Sequence, residues 1–222
     1  MFITMDFKIP NFQDLSYGSI YCIGRNYVEH IKEMKSVQTS DPVVFLKPRS
    51  SIVHSGGSVH IPSQSSDVHH EAELVLLIGK ETINCSPQNA LASVHAFGIG
   101  IDFTARDIQS QAKKDGRPWT LAKGFKTFAP VGNLTAMTSD TNLNNLMISL
   151  QVNNESRQHD NTSLMIFKPE DIISYLSHQF ILTPGDLIFT GTPKGVSPVN
   201  PGDSVTATLG ENLSTVTIDV KT

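Results

Sequence analysis

The segment from His69 to Gly79, HHEAELVLLIG, constrains the fold of this chain more than any other. It begins with polar and acidic residues and continues as an unbroken apolar run, which is typical of a β-strand that enters a buried core. The apolar run from Leu74 to Ile78 is far shorter than the roughly 20 residues that a membrane-spanning helix needs. The sequence therefore predicts a central buried strand and no membrane partner.

Several other segments have the pattern of strands. Residues 147–154, MISLQVNN, alternate and then reach an Asn-Asn pair, which predicts the first arm of a hairpin. Two segments place Pro-Gly-Asp before a β-prone run, which is typical of a turn followed by a strand. The predicted strands lie in PVVFLKP, FGIGIDF, MISLQVNN, TPGDLIFTGTP, NPGDSVTATL and STVTIDVKT.

Helical patterns are fewer and short. Asn26 is a candidate N-cap for NYVEHIKEM, and TARDIQSQAKKDG has a candidate cap at Thr104 and a stop at Gly116. Pro169 occupies a plausible first position of a helix in KPEDIISYLSHQF. Many strands with a few scattered helices predict a β-rich α+β fold, and we expect one domain over residues 1–222. Because strands and helices do not alternate regularly, a Rossmann or TIM-barrel arrangement is disfavoured.

Charge and cysteine content narrow the class of function. The net charge is −4, and the 17 Lys and Arg residues form no cationic run, which argues against nucleic acid as a partner. Cys22 and Cys85 form no metal or disulfide motif, and the N-terminal sequence lacks a recognisable targeting pattern. We therefore expect a protein of the reducing cytoplasm.

Three carboxylates form a candidate metal site. Glu71 and Glu73 are two residues apart on one strand and so project from the same face. At about 4 Å and an effective dielectric of about 20, their repulsion costs about 4 kcal/mol, which a divalent cation would remove. Asp102 follows the apolar FGIGI and is expected at another strand end. Three oxygen ligands favour Mg²⁺ or Mn²⁺ over Zn²⁺.

Two alternatives remain open for this segment. Glu71 and Glu73 could be solvated residues at the exposed start of a strand. His69, His70 and Glu71 could instead bind zinc, although adjacent strand residues point to opposite faces and no zinc-binding spacing is present.

Two further groups are candidates for proton transfer. His30 and Glu33 are three residues apart on a predicted helix, so the carboxylate can orient the imidazole to take a proton from water. The alternative is an ordinary charged helix face. Lys123 lies in the apolar PWTLAKGF, where desolvation would lower its pKa. The alternative is a lysine whose stem packs while its amine reaches water.

Four residues are candidates for substrate contact. Arg106 and Gln109 are three apart on the helix after Asp102 and share a face that could line the same pocket. Arg25 could reach an anionic substrate, or it could lie at the surface. Thr192, in the tight loop of FTGTPKGV, could offer its hydroxyl and nearby N–H groups to a carboxylate, or belong to a plain turn.

Taken together, these segments resemble the fumarylacetoacetate hydrolase family, in particular its short acylpyruvase-like members. The resemblance covers nearly the whole chain and is specific because the pieces occur in order. It is carried by CIGRNYVEHIKEM, PVVFLKP, HHEAEL, GIDFTARDIQ, PWTLAKGF, MIF, SYLS and LTPGDLIFTGTPKGV. It implies a mixed β-roll or β-sandwich fold with short helices, and a homodimer.

The resemblance also implies roles for the candidate residues. Mg²⁺, with Mn²⁺ as the alternative, would be bound by Glu71, Glu73 and Asp102. His30 and Glu33 would activate water on a segment that orders over the site, and Lys123 matches the catalytic lysine of the family. The remaining candidates would contact a small 2-oxo acid: Arg25, Arg106, Gln109 and Thr192.

The implied reaction is hydrolysis of the C–C bond of an acylpyruvate, such as a fumarylpyruvate-like compound, to pyruvate and a carboxylic acid. Water activated by His30 would attack the 4-oxo carbon while the metal stabilises charge on the 2-oxo oxygen. The same site could decarboxylate oxaloacetate or interconvert its keto and enol forms. A non-catalytic dimer that binds a metal or ligand is a further alternative, and the fold alone cannot decide among them.

Overall fold

The computed structural model describes residues 7–222. The strands are β1 Lys8–Ile9, β2 Phe12–Ser16, β3 Ile20–Gly24, β4 Val43–Lys47, β5 Ile52–His54, β6 Ser58–His60, β7 Val68–His69, β8 Ala72–Ile78, β9 Val94–Ile101, β10 Thr104–Ala105, β11 Ala129–Val131, β12 Thr135–Ala136, β13 Met147–Val152, β14 Glu155–Asn161, β15 Leu187–Phe189, β16 Ser204–Leu209 and β17 Ser214–Lys221. The α-helices are α1 Val28–Glu33, α2 Pro87–Ala90, α3 Arg106–Lys114, α4 Thr120–Lys123 and α5 Pro169–Gln179. None of these helices is long and apolar enough to cross a membrane.

Two sheets form the body of the structure. The larger sheet has the order β4-β3-β15-β8-β9-β11-β5, with β12 also paired to β9, and the smaller has the order β14-β13-β16-β17-β6. Both are mixed: β15 runs parallel to β3, β11 to β5 and β17 to β6, while the other pairs are antiparallel. This β-rich arrangement with short helices is the α+β roll or sandwich that the sequence predicted.

Strand β8 is the centre of the core, and every one of its residues is buried. Leu74 and Leu76 face a cluster that includes Ile148 and Ile218 of the second sheet. Val75 and Leu77 face the opposite way, into a separate apolar cluster. Because both faces of the strand are covered, its sequence is continuously apolar rather than alternating.

The predicted hairpin is confirmed. Strands β13 and β14 pair in antiparallel register, with Val152 opposite Glu155. Asn153 and Asn154 at the turn have φ values of 52° and 67°. Positive φ at both central residues is the requirement of a tight hairpin turn, and asparagine tolerates it better than other side chains.

The prediction that Asn26 caps the first helix is wrong. Helix α1 begins at Val28, and Asn26 is fully buried. Its amide donates to the carbonyl oxygens of Thr190 at 2.7 Å and Phe167 at 3.0 Å, and its Oδ1 accepts from the Phe167 amide. Distant buried backbone groups therefore take the hydrogen bonds that a cap would have used.

The cap predicted at Thr104 is also wrong, because Thr104 lies in β10 and its hydroxyl donates to the Asp102 carbonyl. Helix α3 begins at Arg106 without a side-chain cap. The predicted stop at Gly116 is confirmed by its φ of 65° and by the Arg117 amide, which donates back to the Ala112 carbonyl. A left-handed residue at this position is a usual helix ending.

Candidate active site

Glu71, Glu73 and Asp102 form a buried carboxylate cluster at adjoining ends of β8 and β9. Glu71 directly precedes β8 and Asp102 directly follows β9, and the Asp102 amide donates to the Glu71 carbonyl at 2.8 Å. One carboxylate oxygen from each residue lies within 4.8 Å of the others. The three residues are 4%, 2% and 0% exposed, which excludes the solvated strand start that the sequence left open.

Two of these carboxylates have cationic partners. Lys123 Nζ lies 2.7 Å from Glu71 Oε2 and also contacts Asp102 Oδ2. Arg106 forms a close ion pair with Glu71 Oε1, and Lys47 Nζ lies 2.6 Å from Asp102 Oδ1. Glu73 has no ion pair among residues 7–222, and its Oε2 accepts only from the Gly191 amide, at 2.7 Å.

The electrostatic consequences differ between the two glutamates. Burial alone would raise the pKa of Glu71, but the ammonium of Lys123 and the guanidinium of Arg106 hold it well below its usual range. Burial, together with the nearby Asp102 and Glu71 carboxylates, raises the pKa of Glu73 well above its usual range. Glu73 is therefore the carboxylate of the cluster that has no cationic side chain paired with it.

This cluster fits a divalent cation. It offers three hard oxygen donors in a buried setting, and Asp102 Oδ1 receives no well-aligned hydrogen bond despite the nearby Lys47. The zinc alternative is not supported by the structure. His70 is hydrogen-bonded to Gln158 and Ser197, and His69 to Asp67, so neither ring turns towards the carboxylates.

The structure corrects the expected state of Lys123. Its side chain is only 3% exposed, so the amine does not extend into solvent. Burial would lower its pKa, as the sequence suggested, but Asp102 and Glu71 raise the pKa of Lys123 above its ordinary value. The lysine is a charged donor between two carboxylates of the candidate metal site.

His30 and Glu33 are brought together as the helical spacing predicted. His30 Nδ1 lies 3.2 Å from Glu33 Oε2, and the other carboxylate oxygen accepts from the Gly195 amide at 3.0 Å. Burial would raise the pKa of Glu33, but the hydrogen bonds from His30 and from the Gly195 and Val196 amides lower it overall. Glu33 is thus a fixed anion that orients the imidazole.

Arg106 and Gln109 are buried on one face of α3, and both line the cavity above the carboxylates. Arg106 Nη1 donates to Gln109 Oε1 at 2.7 Å. The amide nitrogen of Gln109 is not used in this bond. The pair therefore presents N–H donors beside the candidate metal site.

Arg25 and Thr192 also line this cavity. Arg25 has a φ of 61°, and its Nη1 donates to the Val37 carbonyl at 3.2 Å. Thr192 follows Gly191, whose φ is 98° and where an added Cβ would lie 2.7 Å from Asn26 Cβ and 3.0 Å from the Ile23 carbonyl. Glycine is required at 191 for both reasons, and it sets the turn that carries Thr192.

Three residues around the site were not predicted from the sequence. Lys47 is fully buried and donates to the carbonyls of Phe103, Phe128 and Lys123 as well as pairing with Asp102. Gln158 donates to Thr192, and Lys113 lines the cavity. A lysine that ends the apolar run VVFL was the available signal for Lys47.

The cavity is small and covered. Its volume is about 30 Å³, enough for only a few water molecules. Helix α1 and the residues after it form one wall, to which His30 and Met34 contribute. This covering segment, residues 25–41, is tied to a distant loop by the bond between Glu33 and Gly195, while the bond between Arg25 and Val37 lies within the segment.

Comparisons with known proteins agree on one family. The sequence model described as fumarylacetoacetate (FAA) hydrolase C-terminal matches residues 19–221. Human mitochondrial oxaloacetate tautomerase FAHD1 is 41% identical over 189 residues, covering 85% of this chain and 86% of the relative. The Arabidopsis thaliana protein of the same name is 41% identical over 202 residues, covering 91% and 90%.

Solved structures give the same result. The crystal structure of fumarylpyruvate hydrolase from Pseudomonas aeruginosa, in complex with Mn²⁺ and pyruvate, superposes with a TM-score of 0.91 at 33% identity. The alignment covers 100% of this chain and 98% of that one. A divalent cation is thus bound by a relative that shares the whole fold.

Proposed function

Because this chain belongs to the fumarylacetoacetate hydrolase family, we propose that it is a metal-dependent enzyme that hydrolyses the C–C bond of acylpyruvates. The products would be pyruvate and a carboxylic acid. The observation that carries this proposal is one cavity lined by both the carboxylate cluster and His30, the imidazole that Glu33 orients. A site that only binds a ligand has no need for an oriented base.

A second candidate is the keto–enol tautomerisation or decarboxylation of oxaloacetate. It is favoured by the relatives named oxaloacetate tautomerase, which are about as long as this chain and 41% identical to it. These reactions proceed by moving protons or releasing CO₂ and need no attacking water. They would use the same carboxylates and Lys123 but not His30 as a base for water.

Glu71, Glu73 and Asp102 would hold the metal, which we propose is Mg²⁺, with Mn²⁺ as the alternative. When bound, the ion supplies Lewis-acid stabilisation of negative charge on a 2-oxo oxygen. The donors around the cluster, Arg106, Gln109 and Lys123, would bind and orient the oxygen atoms of the ligand.

The His30 tautomer follows from its contact. Because Nδ1 faces a carboxylate oxygen that can only accept, Nδ1 carries the proton and Nε2 is left as the free base. Glu33 then stabilises the imidazolium that forms when Nε2 takes a proton from water. Its own position is fixed by the amide of Gly195.

The experiment that tests this assignment compares two reactions in one variant. His30→Ala should lower acylpyruvate hydrolysis by about 10²- to 10⁴-fold, the usual contribution of a general base. The rate of oxaloacetate tautomerisation or decarboxylation should fall much less, because neither reaction requires an activated water molecule. His159→Ala is the matched control, since that imidazole is exposed on β14. Equal losses in the two reactions would contradict the role of His30.

The non-catalytic alternative has its own test. Loss of the ultraviolet absorbance of an acylpyruvate enol should require a divalent cation and stop on addition of EDTA. If no metal-dependent turnover occurs with acylpyruvates or oxaloacetate, the protein is a binding module. We also propose a homodimer, from the family resemblance, which sedimentation equilibrium would verify.

A further inference from the structure

Helix α3 carries a polar stripe that faces the cavity. Arg106, Gln109 and Lys113 are spaced three and then four residues apart, so they lie along one side of the helix. All three line the cavity. Arg106 contacts Glu71 directly, whereas Lys113 lies about two helical turns further along the helix and is exposed.

Lys113 is a cation without an anionic partner at this end. Its Nζ lies 5.2 Å from the ring centroid of Trp119, another cavity residue. No carboxylate of residues 7–222 lies within ion-pair distance of it. An ammonium held against an aromatic wall and left unpaired is placed to receive an anion from outside the chain.

Arg25 is a second cation of this kind. Its Nη1 bonds to the Val37 carbonyl, its Nε is buried without a hydrogen-bond partner, and it forms no ion pair with a described carboxylate. Lys113 and Arg25 therefore contrast with Lys47, Lys123 and Arg106, each of which is paired with a carboxylate of the cluster.

The charges of the cavity separate into an inner and an outer group. The inner group balances three carboxylates against the cations of Lys47, Lys123 and Arg106. The outer pair, Lys113 and Arg25, adds two positive charges that form no ion pair with a carboxylate of residues 7–222. A 2-oxo acid with a single carboxylate, held at the metal end, would leave this outer pair unneutralised.

We propose that Lys113, together with Arg25, binds the second carboxylate of a 2-oxo dicarboxylic acid and makes the site prefer such dianions over 2-oxo monocarboxylic acids. This inference rests on the proposed function, because it requires the 2-oxo end of the ligand to lie at the carboxylate cluster. It adds the residue that selects among the substrates of that site.

The titration of Lys113 agrees with this placement. Partial burial, with the positive charges of Arg106 and Arg25 nearby, lowers the pKa of Lys113 to about 8. An ammonium in a positive environment is stabilised when a carboxylate binds beside it. The bound dianion would therefore restore the charge balance that the protein itself lacks at this end.

The test uses two stable ligands that differ at one end. In 2-oxoglutarate the terminal group is a carboxylate, and in 2-oxovalerate it is a methyl group. Calorimetric titration of the Mn²⁺-loaded wild type should show tighter binding of 2-oxoglutarate. Lys113→Gln should weaken the binding of 2-oxoglutarate by about 10- to 100-fold, which is the range for a charge-assisted hydrogen bond. The affinity for 2-oxovalerate should change by less than about threefold.

Two further variants serve as controls. Lys114→Gln removes the neighbouring charge, which is exposed and does not line the cavity, and should leave both affinities unchanged. Lys113→Arg keeps the charge and should retain most of the preference.

The outcomes separate the two proposals. Equal effects of Lys113→Gln on both ligands, or no effect on either, would overturn the role of Lys113. A wild type that turns over acylpyruvates but binds both ligands equally would also overturn it and leave the proposed function standing. If the Mn²⁺-loaded wild type binds neither 2-oxo acid and shows no turnover, both proposals fail.

Discussion

Gln158 Nε2 donates a hydrogen bond of 2.8 Å to the hydroxyl of Thr192. That hydroxyl in turn donates to the Ala72 carbonyl at 2.9 Å, between the two glutamates of the cluster. The hydroxyl proton of Thr192 is therefore already used in a hydrogen bond within the protein. The backbone amide of Thr192 donates to no described residue, so it is the group left to contact a ligand.

Substitutions at Thr192 should separate the hydroxyl from the amide. Thr192→Ser keeps both hydrogen bonds and should change kcat/KM by less than about threefold. Thr192→Val keeps the shape but leaves the Gln158 amide and the Ala72 carbonyl without partners, which should lower the free energy of unfolding by about 1–3 kcal/mol. Urea unfolding and steady-state kinetics would measure the two effects. Equal losses of kcat/KM in both variants would show that the two hydrogen bonds of the Thr192 hydroxyl do not account for the effect on activity.

Glu73→Gln should weaken metal binding strongly without harming the fold. The variant keeps the bond from the Gly191 amide and removes a buried carboxylate that has no cationic partner. We expect Mn²⁺ affinity to fall by about 100-fold or more, while the melting temperature of the metal-free protein stays equal or rises. Calorimetry with Mn²⁺ and thermal unfolding in EDTA would test both parts. The exposed Glu211→Gln variant is the control.

Lys47→Met should be strongly destabilising. The change removes one of the two lysines paired with Asp102 and frees three buried carbonyl groups. Breaking a buried ion pair by removing one partner costs about 3–5 kcal/mol. Urea unfolding in EDTA would measure the loss, and Lys80→Met, on the surface, is the control. A loss below about 1 kcal/mol would contradict this account of Lys47.

The stabilisation by Asp107 should depend on pH. Burial would raise its pKa, but hydrogen bonds from Ser65, Ser66 and the Ile108 amide lower it overall. Because the folded pKa is below the unfolded value of about 3.9, the stabilisation is present at neutral pH and lost as pH falls through the folded pKa. Asp107→Asn should therefore lower the free energy of unfolding by about 1 kcal/mol at pH 7 and by progressively less below about pH 4. Urea unfolding of wild type, Asp107→Asn and the exposed Asp14→Asn would test this.

The preference for dianions should weaken in alkaline solution. Arg106, Arg25, Lys123 and Glu71 are the charged groups around Lys113, and its pKa of about 8 means that the ammonium loses its proton above that pH. Binding of 2-oxoglutarate, relative to 2-oxovalerate, should therefore decline as pH rises through about 8. In Lys113→Arg the decline should disappear, because arginine stays protonated. Calorimetric titrations from pH 6.5 to 9.5 would show whether it does.

Much of this architecture could be predicted from local sequence. The continuous apolar run of β8 indicated a strand buried on both faces, and the spacing of Glu71 and Glu73 placed both carboxylates on one side. The Asn153–Asn154 pair marked a hairpin because few other residues tolerate positive φ. In each case neighbouring residues alone determine the local conformation.

The rest depended on contacts between distant segments. Asn26 has a side chain suited to a helix cap, but the carbonyl groups of Phe167 and Thr190, more than 140 positions away, accept its hydrogen bonds. Lys47 pairs with Asp102, which is 55 positions away in the chain. The pKa of Lys123 rises rather than falls because two carboxylates from separate strands meet at its ammonium. Sequence patterns of one segment carry no information about such partners.

The covering segment, residues 25–41, has a consequence for the kinetics of the enzyme. A cavity of about 30 Å³ leaves little room for a 2-oxo acid beside α1. We therefore expect ligand entry to displace α1 and to break the contact between Glu33 and Gly195. Since such movements displace solvent and take microseconds to milliseconds, we expect turnover to slow as the viscosity of the medium rises.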